Sequence, residues 1–216
     1  MGYFTNRRVE LIFGEIIEQH HGDPDDPSPR PFRFTREQYY QLGELGFFDG
    51  HRVEFIYGEI VDMSPVNWPH AFTTNLASRV LTQALPTSFW ICVQQPFSVP
   101  GIPPGAEPQP DVACIAGPLQ SSTGHPKTAA LLVEVSDSTF FYDITTKAEL
   151  YASANVPEYW VVDINGRQLH VFREPQPLPA GLGSNAYRTH TVLNDADTVS
   201  PLAVPATTIR VADLLP

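Results

Sequence analysis

The sequence predicts a mixed α/β or α+β domain, in which helices pack on a sheet of short strands. Three helical segments lie among short apolar runs, and such mixing favours helices layered on a sheet. Hydrophobic residues make up 42% of the 216 positions and charged residues 17%, so the chain can bury a core and is not expected to be disordered throughout. This length fits one large domain, or one domain with an extension.

Local signals place the helices and strands. The first helix is predicted over residues 35–46, where Thr35 and Gln38 have capping-box spacing and Gly46 suits the stop. Two further helices are predicted over residues 70–85 and 143–155. The predicted strands are residues 89–99, 111–116, 131–136, 158–164, 168–173, 187–193 and 208–211. An Asn-Gly pair at 165–166 predicts a hairpin turn between two of them.

An internal repeat lies near the N-terminus. Residues 8–18 match residues 52–62 at seven of eleven positions, and the second copy has two β-rich arms around Gly58. We interpret the repeat as a duplicated β-hairpin that adds strands to a sheet edge, in its own subunit or in a partner's. Chance similarity between two hairpins is the alternative. Because the spare hairpin could pair across a twofold axis, the repeat predicts a homodimer.

Proline clusters divide the chain. There are 22 prolines, about double the usual share, and one cluster lies in residues 24–31. The preceding His- and Asp-rich run, residues 20–26, resembles a metal-binding tract, but it also has the composition of a solvated linker, which we favour. We therefore expect an extension over residues 1–31, containing the first hairpin, and a single domain over residues 32–216.

Composition excludes several classes of protein. The net charge of −11 and the pI near 4.9 exclude a polybasic nucleic-acid coat, because a uniformly negative surface repels phosphate. No stretch approaches the ~20 apolar residues of a membrane helix, and no signal-like segment follows the N-terminus. Cys92 and Cys114 lie in apolar runs and are expected to be buried free thiols. A cytoplasmic protein that does not engage a membrane is therefore expected.

Two acidic residues in apolar strands suggest a shared cation. Asp111 begins one predicted strand and Glu134 lies within another, and a carboxylate in such a run is costly to bury without a metal or a cation. Mg²⁺ is the natural candidate because it prefers hard oxygen ligands. From the pattern alone, carboxylates that only end a strand or cap a helix are an equal alternative.

Lys147 is one of only two lysines in the chain. At 100° per residue it lies with Asp143 inside the apolar arc of the last helix, whereas Thr145, Glu149 and Ser153 point to solvent. A lysine that faces the protein needs a carboxylate partner, either Asp143 or Glu134. A simple i, i+4 surface pair with Asp143 is the alternative.

These motifs, taken in order, resemble the Uma-two family of restriction-endonuclease-like proteins. The resemblance covers residues from about 34 to the C-terminus. It rests on VEFIYGEIVDMSP at 53–65, His70, PDV at 110–112, VEVS at 133–136, Asp143 with Lys147 and Tyr151, and VPEYWVVD at 156–163. It implies the PD-(D/E)XK nuclease fold: an α/β fold with a restriction-endonuclease-like mixed central sheet flanked by helices, here with an extra N-terminal β-hairpin.

The resemblance also implies a function and a set of site residues. It implies a Mg²⁺- or Mn²⁺-dependent endodeoxyribonuclease in which Asp111, Glu134 and the Val135 carbonyl bind the metal. The third signature residue, usually a lysine two places after the acidic one, is Ser136 here, so the resemblance suggests that Lys147 takes its place.

Two further residues are weaker candidates for this site. Glu54 could be a supporting acidic residue, although a structural role suits it equally well. His70 could be a general acid, or it could instead cap or pack at a helix start.

A second function class fits the same fold. The −11 charge favours a catalytically weak or inactive member that keeps the fold for binding or assembly, because a DNA groove should be basic. A nuclease would have to gather many of its 11 arginines around Asp111. A small-molecule enzyme that uses the two carboxylates as acid and base is a third alternative, but no glycine-rich pocket motif supports it.

Overall fold

The described residues form two compact units. The computed structural model describes residues 8–12, 15–19, 28, 30–119, 122–179 and 185–216. One unit contains the described residues up to Met63 together with Pro103–Ala106, and the other contains Ser64–Ile102 and Glu107–Pro216. The His- and Asp-rich run at 20–26 lies outside the described residues, and the boundary at residue 31 stays a prediction.

The N-terminal unit contains both copies of the repeat. Its elements are β1 (Arg8–Ile12), β2 (Glu15–Gln19), β3 (Arg30–Pro31), α1 (Arg36–Glu44), β4 (Val53–Ile56) and β5 (Glu59–Asp62). β1 pairs with β2 and β4 with β5, both antiparallel, and the register is the same in the two copies: Ile12 lies opposite Glu15 as Ile56 lies opposite Glu59. Both predicted hairpins are confirmed.

Helix α1 has the predicted capping box. The Thr35 hydroxyl accepts a hydrogen bond from the Gln38 N–H at 3.3 Å, and the Gln38 side chain accepts one from the Thr35 N–H at 2.9 Å. These reciprocal bonds satisfy two N–H groups that a helix start leaves without intrahelical partners.

Gly58 is required by the turn of the second hairpin. Tyr57 and Gly58 have φ values of 50° and 78°, the left-handed pair that a type I′ turn needs. The Gly58 N–H donates to the Gly105 carbonyl at 3.1 Å, and a Cβ on Gly58 would collide with the side chains of Pro104 and Arg33. Close backbone approach and positive φ therefore both restrict this position to glycine.

The C-terminal unit is built on a mixed six-stranded sheet. The strands are β6 (Phe89–Val93), β7 (Val112–Ala116), β8 (Leu131–Ser136), β9 (Glu158–Asp163), β10 (Gln168–Pro177) and β11 (Asn185–Asn194), in the order β11-β10-β9-β8-β7-β6. Only the β8–β9 pair of this sheet is parallel among the described strands. The predicted mixed central sheet is confirmed.

Helices cover this sheet. They are α2 (Trp68–Ala84) and a continuous helical segment made of α3 (Phe140–Tyr142), a π-helical turn (Asp143–Lys147) and α4 (Ala148–Ser153). The chain ends with β12 (Thr198–Val199), β13 (Ile209–Arg210) and a 3₁₀ helix (Val211–Leu214). None of the helices in the described part of the chain is long and apolar enough to cross a membrane.

Three predicted boundaries were wrong for local reasons. The strand predicted over 89–99 ends at Val93, because Gln94 adopts a left-handed φ of 51°. The helical segment predicted from Asp143 begins at Phe140 and includes the π turn. The predicted hairpin between β9 and β10 is present, but β9 ends one residue early at Asp163, so the connection has four residues, with Arg167 at a φ of 51°.

The two faces of the sheet have different roles. Val133, Val135 and Trp160 belong to the apolar core on one face, together with Ala77 and Leu81 of α2. Because side chains alternate along a strand, Glu134 projects to the opposite face. α4 packs on that face, where the rings of Tyr151 and Tyr159 meet at a centroid distance of 5.0 Å.

The crowding at Gly58 makes a testable prediction. Gly58→Ala should lower the urea midpoint of unfolding more than Gly50→Ala does, because both glycines have positive φ but no atom lies within 4 Å of a Cβ built on Gly50. The left-handed conformation should cost either variant about 1–2 kcal/mol, and the collision should add about 1–3 kcal/mol at Gly58 alone. Equal midpoints for the two variants would show that the close approach is unimportant.

Candidate active site

Asp111 lies at the start of β7 and is held by three donors. Its Oδ2 accepts the Val135 N–H at 2.8 Å and lies 3.1 Å from His70 Nε2, and its Oδ1 accepts the Gln94 side-chain amide at 3.0 Å. His70 comes from the first turn of α2, and Gln94 directly follows β6. The carboxylate is therefore fixed by the neighbouring strand and by two separate elements.

Glu134 lies on the adjacent strand and is also held from one side. Its Oε1 accepts hydrogen bonds from Lys147 Nζ at 3.0 Å and from the Tyr151 hydroxyl at 2.7 Å. Its Oε2 accepts the backbone N–H of Asp111 at 3.4 Å. Lys147 and Tyr151 thus turn one oxygen of Glu134 toward α4 and the other toward Asp111.

The π turn carries the lysine into the protein. Lys147 is 2% exposed, which confirms the prediction that it faces inward, and its carboxylate partner is Glu134. Asp143, at the other end of the same turn, is also buried and accepts a hydrogen bond from the Thr139 hydroxyl at 2.6 Å. The Asp143 carbonyl accepts one from the Tyr159 hydroxyl at 3.1 Å. Such turns are frequent at functional sites.

The environments of Asp111 and Asp143 shift their pKa values in opposite directions. Burial opposes ionisation of Asp111, but the hydrogen bonds and charge of His70, with the Val135 N–H and Gln94, outweigh it and lower the pKa of Asp111. Burial dominates at Asp143 and raises its pKa, although Lys147 and Thr139 oppose the rise. The environment of Asp111 therefore favours its ionised form, the form that a carboxylate needs to coordinate a metal.

The cluster has more acidic than basic groups. Asp111, Glu134 and Asp143 are each at most 3% exposed, and Lys147 and His70 are the basic groups that contact them. Buried charges are costly unless they are paired or bind a metal, so this composition suits a cation. Within the described residues, no group of three or more His, Cys, Asp or Glu side chains forms a metal cage.

A site with two carboxylates and a backbone carbonyl still fits a hard cation. The N–H and C=O of one residue in an extended strand point to the same neighbour. The Ser136 carbonyl accepts the Ile164 N–H at 3.0 Å and so faces β9, whereas the Val135 N–H points to Asp111. The Val135 carbonyl therefore faces the Asp111 side. Mg²⁺ is commonly bound by one or two carboxylates, with water and substrate oxygens completing its shell.

The structure brings most of the predicted site residues together. Around the end of the β7–β8 ladder, the structure brings together Asp111, Glu134, Lys147, His70 and the Val135 backbone. Glu54 belongs to β4 of the N-terminal unit, where its side chain is buried.

Two residues that hold the carboxylates were not predicted as site residues. Gln94 lay inside a run interpreted as a strand, and no spacing pattern marked it. Tyr151 was identified only as part of the motif shared with the Uma-two family, together with Asp143 and Lys147. Its position four residues after Lys147, on the same helix face, was the signal that could have identified it.

Arginines in the C-terminal unit are largely engaged by carboxylates. Four ion pairs have this form: Arg167 with Asp195, Arg173 with Glu158, Arg188 with Glu174, and Arg210 with Asp213. The positive charge of these four arginines is therefore already paired with carboxylates, whereas a groove that binds DNA needs positive charge that is free to meet phosphates.

The mixed sheet, the flanking helices and the paired carboxylates at adjacent strand ends define a restriction-endonuclease-like protein. The sequence model of the Uma2 family, described as "Putative restriction endonuclease", matches residues 36–212. The chain therefore belongs to the Uma2 family, as the resemblance of its motifs implied.

A solved structure shows the same fold at low sequence identity. It is described as that of "a putative nuclease belonging to DUF820 from Anabaena variabilis ATCC 29413". The similarity has a TM-score of 0.61 at 13% identity, and it covers 84% of this chain and 97% of the other. No curated protein matches the chain. The predicted α/β restriction-endonuclease-like fold is confirmed.

The buried ion pair makes a testable prediction about stability. Lys147→Met should lower the free energy of unfolding by about 3–5 kcal/mol, because it leaves Glu134 buried without its ammonium partner. The double variant Glu134→Gln/Lys147→Met should recover much of this loss, since neither side chain then carries a charge. Urea denaturation measures both effects.

An exposed ion pair provides the control. Arg188→Met removes the exposed partner of Glu174 and should change stability little. A loss in Lys147→Met as small as that in Arg188→Met would show that the buried pair does not stabilise the fold.

Proposed function

We propose that the protein is a metal-dependent endonuclease that hydrolyses phosphodiester bonds in DNA. The observation that carries the proposal is the convergence of Asp111 and Glu134 at adjacent strand ends, with the Lys147 ammonium 3.0 Å from Glu134. Membership of the Uma2 family supports nuclease chemistry. The metal and the DNA substrate are part of the proposal.

Asp111, Glu134 and the Val135 carbonyl would hold Mg²⁺ or Mn²⁺. When bound, such an ion polarises a phosphate oxygen and lowers the pKa of a bound water. The pKa of Asp111 is lowered, so this ligand is ionised at neutral pH without the metal. The donors on Asp111 and on Oε1 of Glu134 fix both carboxylates in advance, which lowers the entropy lost on binding.

The remaining groups have proposed roles that follow from their contacts. Lys147 holds Glu134 in place, and its ammonium would stabilise negative charge that develops on the phosphate. His70 contacts the Asp111 carboxylate and would orient it, and as a general acid it would donate a proton. Glu54, which is buried in β4, is retained as a proposed supporting acidic residue.

Cleavage assays test the proposal. Wild type should cut plasmid or single-stranded DNA with Mg²⁺ or Mn²⁺, and a chelator should abolish the activity. Glu134→Gln keeps the shape of the side chain but loses the charge, and it should slow cleavage by about a hundredfold or more. Glu174→Gln, which changes an exposed glutamate on β10, is the matched control. Equal activity in wild type and Glu134→Gln would reject the catalytic assignment.

A binding or assembly role in a weakly active or inactive protein is the second candidate. Two observations favour it: both oxygens of Asp111 already accept protein donors, and four arginines are engaged by carboxylates. This candidate predicts that wild type binds DNA but does not cleave it, and that Glu134→Gln binds equally well. Metal-dependent cleavage lost in Glu134→Gln would reject it.

We also propose that the protein is a cytoplasmic homodimer. The side chain of Leu11 in the first hairpin is 75% exposed, whereas Phe55, at the equivalent position of the second hairpin, is fully buried. The first hairpin could pair with the same hairpin of a second copy across a twofold axis. The cytoplasmic location is supported by two free thiols, Cys92 and Cys114, which are both buried. Light scattering that gives a monomer mass would refute the dimer.

A further inference from the structure

An aromatic pair lies on α2 outside the carboxylate site. Trp68 and Phe72 are 77% and 40% exposed, and their rings stack with centroids 6.0 Å apart and planes 29° from parallel. Because they are four residues apart, they occupy the same face of the helix. They present flat apolar surface to solvent.

This face continues into a groove beside the C-terminal segment. The groove has a volume of about 680 Å³, and Phe72 is part of its wall. Its other lining side chains include apolar, hydroxyl and cationic groups: Leu76, Arg79, Val80, Thr207, Thr208 and Leu215. A groove of this composition can contact both a flat apolar ring and an anion.

Arg79 is the cation in this groove. It is exposed, and among the described residues it has no carboxylate partner, in contrast to the four paired arginines of the same unit. Asp213 also lines the groove, but its carboxylate forms an ion pair with Arg210. An anionic ligand would therefore find one uncompensated positive charge beside an aromatic surface.

We propose that this face of α2 binds an unpaired segment of DNA, with bases stacked on Trp68 and Phe72 and a phosphate paired with Arg79. Aromatic platforms hold single strands because every base has a π-face, whereas a duplex hides those faces and is bound mainly through its phosphates. A protein with a net charge of −11 and one free cation in the groove is better suited to the first kind of binding. The inference rests on the proposed function for its choice of nucleic acid.

The groove and the carboxylate site share a helix. His70, two residues after Trp68, contacts Asp111 at 3.1 Å. An α-helix with its side chains is about 10–12 Å across, so a strand held on the outer face of α2 lies about one helix width from the carboxylates. Trp68 and Arg79 are eleven residues apart, about 16 Å along the axis, so they can contact different nucleotides of one strand. The groove would thus hold the substrate about one helix width from the place where it is cut.

Binding measured without cleavage tests the proposal. The full chain carrying Glu134→Gln is titrated into a short fluorescein-labelled oligothymidylate, and separately into the matching duplex, with fluorescence anisotropy as the readout. The single strand should bind more tightly than the duplex. Trp68→Ala and Arg79→Ala, each made in the same background, should raise the Kd for the single strand by about fivefold or more.

Matched variants separate a local effect from a general one. Leu202→Ala removes an exposed apolar side chain, and Arg188→Ala removes one positive charge, both elsewhere in the unit, so both should leave the Kd nearly unchanged. Trp68→Phe keeps an aromatic ring and should retain most of the affinity. That result would show that Trp68→Ala loses affinity because the ring is missing, and not because the protein misfolds. Equal binding by Trp68→Ala, Arg79→Ala and the two controls would overturn the proposal, as would tighter binding of the duplex.

The proposal and the nuclease function can fail separately. Glu134-dependent cleavage by wild type, with single-strand binding unaffected by Trp68→Ala and Arg79→Ala, would reject the groove and keep the nuclease. Single-strand binding that depends on Trp68 and Arg79, in a wild-type protein that cuts no DNA, would keep the groove and reject the nuclease.

Discussion

The burial of Glu134 is the constraint on which the site depends. Burying a carboxylate inside a sheet costs several kcal/mol of hydration free energy, and an ion pair and hydrogen bonds must offset that cost. Lys147 and Tyr151 do so at one oxygen, from a helix that must pass directly over β8. The position of the helical segment, its π turn and the alternation of β8 are all needed for this contact. Any rearrangement that lifts the segment would leave a charge without its partner.

In the same arrangement, one face of the sheet packs the apolar core and the other face carries the charged residues of the site. Val133, Val135 and Trp160 fill the core on one face, and the residues between them are free to carry charge on the other. Asp111 and Glu134 can therefore be close together without interrupting the apolar layer. The β7–β8 ladder fixes their spacing, so the site is positioned by backbone geometry, which is more rigid than a loop.

The sequence predicted the features that depend on the periodicity of strands and helices, namely which side chains face the interior. Asp111 and Glu134 were identified as carboxylates within apolar strands, and the helical periodicity predicted that Lys147 faces inward. The choice between Asp143 and Glu134 as the partner of Lys147 needed the distance between a helix and a strand, which periodicity does not contain. Gln94 was hidden for another reason: its left-handed backbone ends β6 early, and no apolar pattern marks such a change.

The two hairpins show how tertiary context acts on a repeated sequence. Their registers are the same, and the two copies share their apolar alternation. Their surroundings differ, since one copy buries a phenylalanine where the other exposes a leucine. Identity of sequence thus predicted local structure, while burial depended on what each copy meets in the folded unit.

The end of the β7–β8 ladder has a consequence for the chemistry of Val135. The paired register includes Val112 opposite Val133, and its continuation by two residues would put Pro110 opposite Val135. Proline has no N–H, so it cannot donate to the Val135 carbonyl and cannot extend the ladder. Pro110 therefore leaves the Val135 carbonyl, which faces the Asp111 side, without this ladder hydrogen bond. The pair Pro110-Asp111 supplies both the end of the sheet and the first acidic group beyond it.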